Sequence, residues 1–230
     1  LKEKCLEFIN FNCIEGKISN FFYDNIGNID SLKIDEIEEN IEGDFFINCL
    51  GFHGTKILTN DFYQIKYFDE IIPNNRALTI QIKNQENQIL EPYTTSTAQE
   101  CGWSWKIPQY EKTGYGYVYS DYFINDEDKI YNNLLKTYNL DERSILKSKS
   151  VSYKTFINQK QLHKNCINIG LSSGFVEPLE ATSIHLSIYQ IALFYEMCAT
   201  SSKLSEKDIN KYNKKIIFQW NNIIKFIIFH

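Results

Sequence analysis

Gly102-Trp103-Ser104-Trp105-Lys106-Ile107-Pro108 alternates two indoles with a hydroxyl and an ammonium. On a strand, that spacing sends Trp103 and Trp105 to one face and Ser104 and Lys106 to the other. Paired rings can shield a channel from water or hold a planar ligand, and two tryptophans on one strand face also serve as ordinary core. The neighbouring stretches support a sheet: Leu78-Thr79-Ile80-Gln81-Ile82, Thr94 to Ala98, and the alternating aromatic run from Tyr115 to Phe123 are all β-rich. A helix is predicted next, from about Asn125 to Tyr138. Asn125 or Asp126 would cap it, and Ile130, Leu134, Leu135 and Tyr138 would form its buried face.

Towards the N-terminus, Cys5 to Ile34 predicts a small antiparallel meander with turns at Glu15-Gly16-Lys17 and Asn25-Ile26-Gly27-Asn28. Asp44 to Leu50 reads as a buried strand running into a tight turn, Gly51-Phe52-His53-Gly54. Towards the C-terminus, a buried strand is predicted over Asn165 to Gly170, a loop over Leu171 to Pro178 and a long helix over Leu179 to Thr200. The last helix begins near Ser205, where Ser205 and Asp208 have the spacing of a capping box. Ile209, Tyr212, Ile216, Trp220, Ile223 and Ile227 form its stripe, and Lys214-Lys215 its solvated face.

The 230 residues, 43% of them hydrophobic, suffice for one domain with a real core. A net charge of −5 argues against nucleic acid as a partner, because phosphates would be repelled. Cys5, Cys13, Cys49, Cys101, Cys166 and Cys198 form no Cys-x-x-Cys pair, so the reading is no metal and no disulfide framework, but buried free thiols in a reducing compartment. The longest apolar run, Ile223 to Phe229, is interrupted by Lys225 and is too short for a bilayer. A cytoplasmic protein without membrane contact is expected. The absence of Met at Leu1 and of a helix stop at His230 suggests a piece of a longer chain.

Gly170 to Ile184 carries the second constellation. A strand end, the small residues Ser172, Ser173 and Gly174, and a helix start would together form an anion site, with free N–H groups and the positive helix end facing the ligand. The same residues also suit a plain β-turn-α connection.

In order along the chain, several stretches resemble the flavin-dependent tryptophan halogenases. Trp103-Ser104-Trp105-Lys106-Ile107-Pro108 is similar to their signature. Glu91-Pro92-Tyr93-Thr94-Thr95-Ser96-Thr97-Ala98 before it and Thr113-Gly114-Tyr115-Gly116-Tyr117-Val118-Tyr119-Ser120 after it are similar as well. Gly43 to Gly54 resembles the strand and turn closing the flavin domain, and Glu177-Pro178-Leu179-Glu180-Ala181-Thr182 resembles the flavin and halide loop. The ordered set covers nearly the whole chain.

The resemblance implies an α/β fold: part of an FAD-binding, glutathione-reductase-like fold with a mixed sheet and packed helices, plus an interleaved substrate region. Residues 1–230 would be the central part of a halogenase domain. It implies reduced FAD from a separate flavin reductase, and oxygen and chloride or bromide to make hypohalous acid. That oxidant would travel a short tunnel to tryptophan or another small indole-like aromatic. Glu180 matches the active-site glutamate, which would orient the oxidant or accept the ring proton; by position alone it is also a first-turn helix acid. Thr182 and Ser183 match the positions whose amides hold the halide, although the family often has Gly where Ser183 stands. Leu171 and Ile184 match flavin contacts and Ile14 an adenine-side contact of FAD, and by residue type Leu171 and Ile184 are equally plain core. Trp103 and Trp105, with Ile107 and Pro108 completing the motif, would wall the space between flavin and substrate and keep general monooxygenase chemistry out.

No Gly-x-Gly-x-x-Gly fingerprint occurs. In the family that fingerprint and a catalytic lysine lie N-terminal to these stretches and would precede Leu1, while the main substrate-binding part would follow His230. These 230 residues alone are therefore expected to bind FAD poorly and to be inactive. The alternatives are an FAD-dependent monooxygenase of the same fold and an inactive truncated relative.

Overall fold

The computed structural model describes residues 2–53, 58, 60–200 and 204–230. In chain order the first elements are the one-turn helix α1 (Lys2–Cys5) and strands β1 (Ile18–Tyr23), β2 (Ile29–Ile34), β3 (Ile41–Glu42) and β4 (Phe46–Asn48). Then come β5 (Ile65–Tyr67), β6 (Arg76–Lys83), β7 (Thr95–Gln99), β8 (Gly102–Pro108) and β9 (Lys112–Tyr119), followed by helix α2 (Glu127–Tyr138). The rest comprises β10 (Ile145–Ser152), β11 (Phe156–Asn158), β12 (Leu162–His163), β13 (Cys166–Asn168), β14 (Gly174–Phe175), α3 (Thr182–Thr200) and α4 (Glu206–Phe229). This mixture of sheets and helices bears out the α/β class. The chain forms two compact units, each assembled from separated segments.

One unit comprises Leu1–Gln64, Asn158–Ser173 and Leu186–Phe218. It holds the antiparallel sheet β1-β2-β3 and the mixed sheet β12-β13-β4, in which β13 runs parallel to β4. The meander is as expected, with Asp24 accepting from the N–H groups of Ile26 and Asn28 to close its turn. Glu15-Gly16-Lys17 is not a hairpin turn: Gly16 sits in a bend with no strand before it. The expected strand over 44–50 shrinks to three residues and is not apolar inside. Strand alternation turns Asn48 inward and leaves Ile47 and Cys49 exposed, because Asn48 has polar partners in this unit. The turn after it is a 3-10 turn, Gly51–His53, with Gly51 at φ 62°; Gly54 lies outside the described residues. The six cysteines are free, as expected, but only Cys166 is buried; Cys13, Cys49 and Cys198 are exposed. On α4, Ser205 and Asp208 form the anticipated capping box, with Ser205 N donating to Asp208 Oδ2 at 3.0 Å and Asp208 N to Ser205 Oγ at 3.3 Å.

The other unit comprises Ile65–Ile157, Gly174–His185 and Gln219–His230. Its frame is the antiparallel sheet ordered β10-β6-β9-β8-β7. One face carries Leu78, Ile80, Tyr115, Tyr117 and Tyr119 against Ile130 and Leu134 of α2. Both helix residues are fully buried, each contributing about 1.5–3 kcal/mol by leaving water. Asp126 is the N-cap, accepting from Lys129 N at 2.9 Å, and Asn139 ends the helix in the left-handed region. The opposite face collects Ala77, Val118 and Tyr153 with Trp103, Trp105 and Phe175. The edge strand β10 was not anticipated, because Ile145 to Ser152 is polar on both faces and almost wholly exposed. Among the described residues no helix is long and apolar enough to cross a membrane.

Candidate active site

The two indoles lie where their period places them. Trp103 and Trp105 share a face of β8, with ring centroids 5.6 Å apart. Ser104, on the other face, is fully buried, takes a hydrogen bond from Gln99 Nε2 at 2.8 Å and lies 3.0 Å from the Tyr138 hydroxyl. Lys106 pairs with Glu91 at 2.6 Å. Ile107 is partly exposed, and Pro108 ends the strand opposite Thr113, where a missing N–H costs the ladder least.

Register decides how the indoles fit. Trp105 stands opposite Gly116 on β9. A Cβ on Gly116 would lie 2.0 Å from Trp105 Cζ2. Gly116→Ala is therefore expected to push the ring from its seat and to cost about 1–3 kcal/mol. Thermal unfolding together with a shift in tryptophan emission would show it; an unchanged emission maximum and melting temperature would mean that the ring does not depend on that gap.

Trp103 is tied by its edge. Its Nε1–H donates to Glu177 Oε2 at 2.7 Å, and Asn74 Nδ2 donates to Glu177 Oε1 at 2.9 Å. Glu177 is only 5% exposed. Burial pushes its carboxyl above the usual range, and the Trp103 and Asn74 donors work against that shift. The three residues wall a cleft of about 440 Å³ that also touches Ser96, Leu179 and Ile227. Glu177 lies inside the motif quoted above, but its burial and partners were missed, as was Asn74 altogether. The only available signal was a carboxylate in the otherwise apolar run Phe175-Val176-Glu177-Pro178-Leu179.

Three residues on, the chain departs from the expected helix. Leu179–Ala181 is a 3-10 turn, and α3 begins at Thr182 rather than at Leu179. The cause is two successive left-handed residues, Glu180 (φ 52°, ψ 25°) and Ala181 (φ 52°), which break the helical path. Each costs on the order of 1–3 kcal/mol in a non-glycine residue. Glu180 is therefore not a first-turn helix acid. Its side chain is exposed, and none of the ion pairs among the described residues includes it. The Thr182 N–H closes the 3-10 turn on Leu179 O, so this amide, one of the two expected to hold a halide, already has an internal acceptor. The Thr182 hydroxyl is buried without a partner among the described residues. Ser183 is half-buried beside it, and Ile184 is 64% exposed.

In the first unit, Leu171 is 39% exposed at the centre of the 3-10 turn Gly170–Ser172. Buried amides and hydroxyls fix that turn: Ser172 Oγ accepts from Gly51 N, and Gln161 and Gln190 converge on Ser173. Ile14 is exposed in an irregular segment. Leu171 and Ile184 are thus not core.

Comparison with known proteins places these features. The family model described as tryptophan halogenase matches residues 3–230. The 7-chloro-L-tryptophan 6-halogenase KtzR of Kutzneria sp. is 30% identical over 196 residues, 83% of this chain and 36% of that protein. The tryptophan 7-halogenase RebH of Lentzea aerocolonigenes is 27% identical over 236 residues, 100% of this chain and 43% of that one. Among solved structures, the tryptophan halogenase of Shewanella frigidimarina superimposes with a TM-score of 0.89 at 26% identity, covering 98% of this chain and 43% of that one. The flavin-dependent halogenase Xcc4156 of Xanthomonas campestris gives 0.83 at 29% identity, covering 94% and 42%. The chain thus spans about two fifths of the length of the relatives it matches. With the family model matching 228 of its residues, and with the paired indoles, the Glu177–Glu180 turn and the start of α3 in the order of the signature stretches, this chain belongs to the tryptophan halogenase family.

Proposed function

We propose that these residues form part of a flavin-dependent halogenase that uses reduced FAD, oxygen and chloride or bromide to halogenate tryptophan or another indole-like aromatic. The observation that carries this reading is Glu180: an exposed carboxylate on left-handed backbone, directly before α3 and one short turn from the carboxylate that holds Trp103. The similar proteins KtzR and RebH are named as tryptophan halogenases, which supports an indole substrate.

Within this reading, Leu171 and Ile184 contact the flavin, which when bound supplies the activation of oxygen, and Ile14 the adenine side of FAD. Ser183 through its amide and Thr182 through its hydroxyl, rather than its amide, hold the halide at the head of α3, where the helix dipole favours an anion. The buried Thr182 hydroxyl adds a second donor at that place. Glu180 orients the oxidant or takes the ring proton after the halogen adds. Trp103 and Trp105 keep water and bulky substrates from the flavin side. A separate flavin reductase supplies reduced FAD, and the cytoplasm is the proposed location, in keeping with six free cysteines.

The test uses the full-length protein with photoreduced or enzymatically reduced FAD, oxygen, bromide and indole, read by mass spectrometry. A bromoindole isotope pair that requires both bromide and reduced FAD is expected. A hydroxylated, halogen-free product would replace this reading with that of a monooxygenase, and the absence of FAD binding would point to an inactive relative.

A further inference from the structure

We propose that Glu177 is a positioning residue: by binding the Trp103 indole N–H and the Asn74 amide together, it pins the turn that presents Glu180. Glu177 Oε2 takes Trp103 Nε1–H at 2.7 Å, and Oε1 takes Asn74 Nδ2 at 2.9 Å. Both oxygens face donors, and the residue is 5% exposed, so the acceptor-only carboxylate suits the site better than any neutral isostere. Between Glu177 and Glu180 stand only Pro178, whose ring fixes φ near −73°, and Leu179. Little slack therefore separates the anchored side chain from the exposed one. Beyond them the chain is held by Ala181 N–H donating to Pro178 O at 3.3 Å and Thr182 N–H to Leu179 O, and then by α3. Two left-handed residues in succession persist only where both ends of the segment are fixed. The helix fixes one end, and Glu177 fixes the other.

Asn74 and Trp103 come from different parts of the sheet unit, so the anchor also couples the indole wall to the turn. If the carboxylate bonds are lost, the segment 177–181 is free to relax towards ordinary helix, carrying Glu180 away from its place. The consequence for catalysis rests on the halogenase reading above; the anchoring itself does not.

The experiment compares wild type, Glu177→Gln and the pair Asn74→Asp/Glu177→Gln in the full-length protein. In Glu177→Gln, the new amide faces one of the two donors, so one bond breaks. The second change turns residue 74 into an acceptor: the side-chain carbonyl now at 177 still accepts from Trp103 Nε1–H, and its amide donates to the new carboxylate at 74, so both bonds are restored with only the one to residue 74 reversed. Hydrogen exchange of the amides of 179–184 reads the turn directly, and the indole N–H resonance of Trp103, assigned with Trp103→Phe, reads its bond. Glu177→Gln is expected to speed exchange at Ala181 and Thr182 at least tenfold and to move the indole resonance. It should lower kcat for bromination at least tenfold with KM changed less than twofold. The double variant should recover the resonance, the slow exchange and most of kcat. Unchanged exchange in Glu177→Gln, or a double variant with the resonance restored but exchange and kcat still impaired, would overturn the proposal. The expected exchange effects in the variants, together with no halogenated product from wild type, would remove the functional reading and leave the anchoring standing.

Discussion

Glu180→Gln in the full-length protein is expected to cut halogenated product by about 10²–10⁴-fold, the usual contribution of a positioned acid or base, while FAD binding and melting temperature stay as in wild type. The reasoning starts from what Glu180 does not do for folding. It is exposed and stands outside the ion pairs among the described residues. Its replacement by an isostere should therefore leave stability within about 0.5 kcal/mol. Yet the backbone beneath it occupies a conformation that costs a non-glycine residue energy, and the strain extends to Ala181. A strained segment ending in a solvent-facing carboxylate has no folding rationale, and strain of this kind gathers where placement of a side chain matters. Glutamine keeps the shape and removes the charge and the basicity. Parallel measurement of product formation and of bound FAD separates the cases. A rate within threefold of wild type would remove Glu180 from the chemistry, and loss of bound FAD would recast it as a cofactor contact.

The difference between what could be read along the chain and what could not follows from the range of the interactions. Trp103 and Trp105 were placed correctly because strand period is local, and α2 because Asp126, Ile130 and Leu134 lie within three turns of one another. The capping box at Ser205 is likewise a four-residue signal. The bond from Trp103 to Glu177 spans 74 residues, and that from Asn74 to Glu177 spans 103. No pattern in either neighbourhood announces them. The left-handed pair at Glu180 and Ala181 was invisible for a different reason: neither residue is Gly or Asn, the types that mark such backbone. The helix was therefore begun three residues too early. Strand β4 failed through its polarity. Phe46-Ile47-Asn48 looks apolar, but Asn48 is the inward residue, donating to Asn168 Oδ1 at 2.7 Å and to the Tyr63 hydroxyl at 2.5 Å. Local hydropathy assigns such a strand the wrong face whenever the interior it meets is polar.

That polar interior gives the largest expected effect on stability. Gln161→Leu should destabilise the protein by about 2–5 kcal/mol, because buried groups left without partners pay their full desolvation cost. Gln161 is fully buried and uses its whole hydrogen-bonding capacity. Its Nε2 donates to the carbonyls of Asn158 at 2.5 Å and Ser173 at 3.0 Å. Its Oε1 accepts from Ser173 Oγ at 2.5 Å and from Gln190 Nε2 at 3.0 Å. Leucine has similar bulk, so packing changes little and the loss is polar. Not every partner suffers equally. Ser173 O keeps Asn158 N at 2.9 Å, and Gln190 Nε2 keeps Ser173 Oγ at 2.8 Å and Asn168 O at 3.2 Å. The Asn158 carbonyl loses a donor and the Ser173 hydroxyl an acceptor, which sets the estimate at a few kcal/mol rather than the sum of four bonds. Gln190→Leu, which removes fewer of these contacts, should cost less. The double variant should cost less than the two single changes added, since each single change strands a group that the other removes. Thermal unfolding of the four proteins measures this coupling. Strict additivity would mean that the two glutamines act separately. Sub-additivity would establish one network, which seats the turn carrying Leu171; under the proposed contact of Leu171 with the flavin, the same variants should weaken FAD binding in the order of their instability.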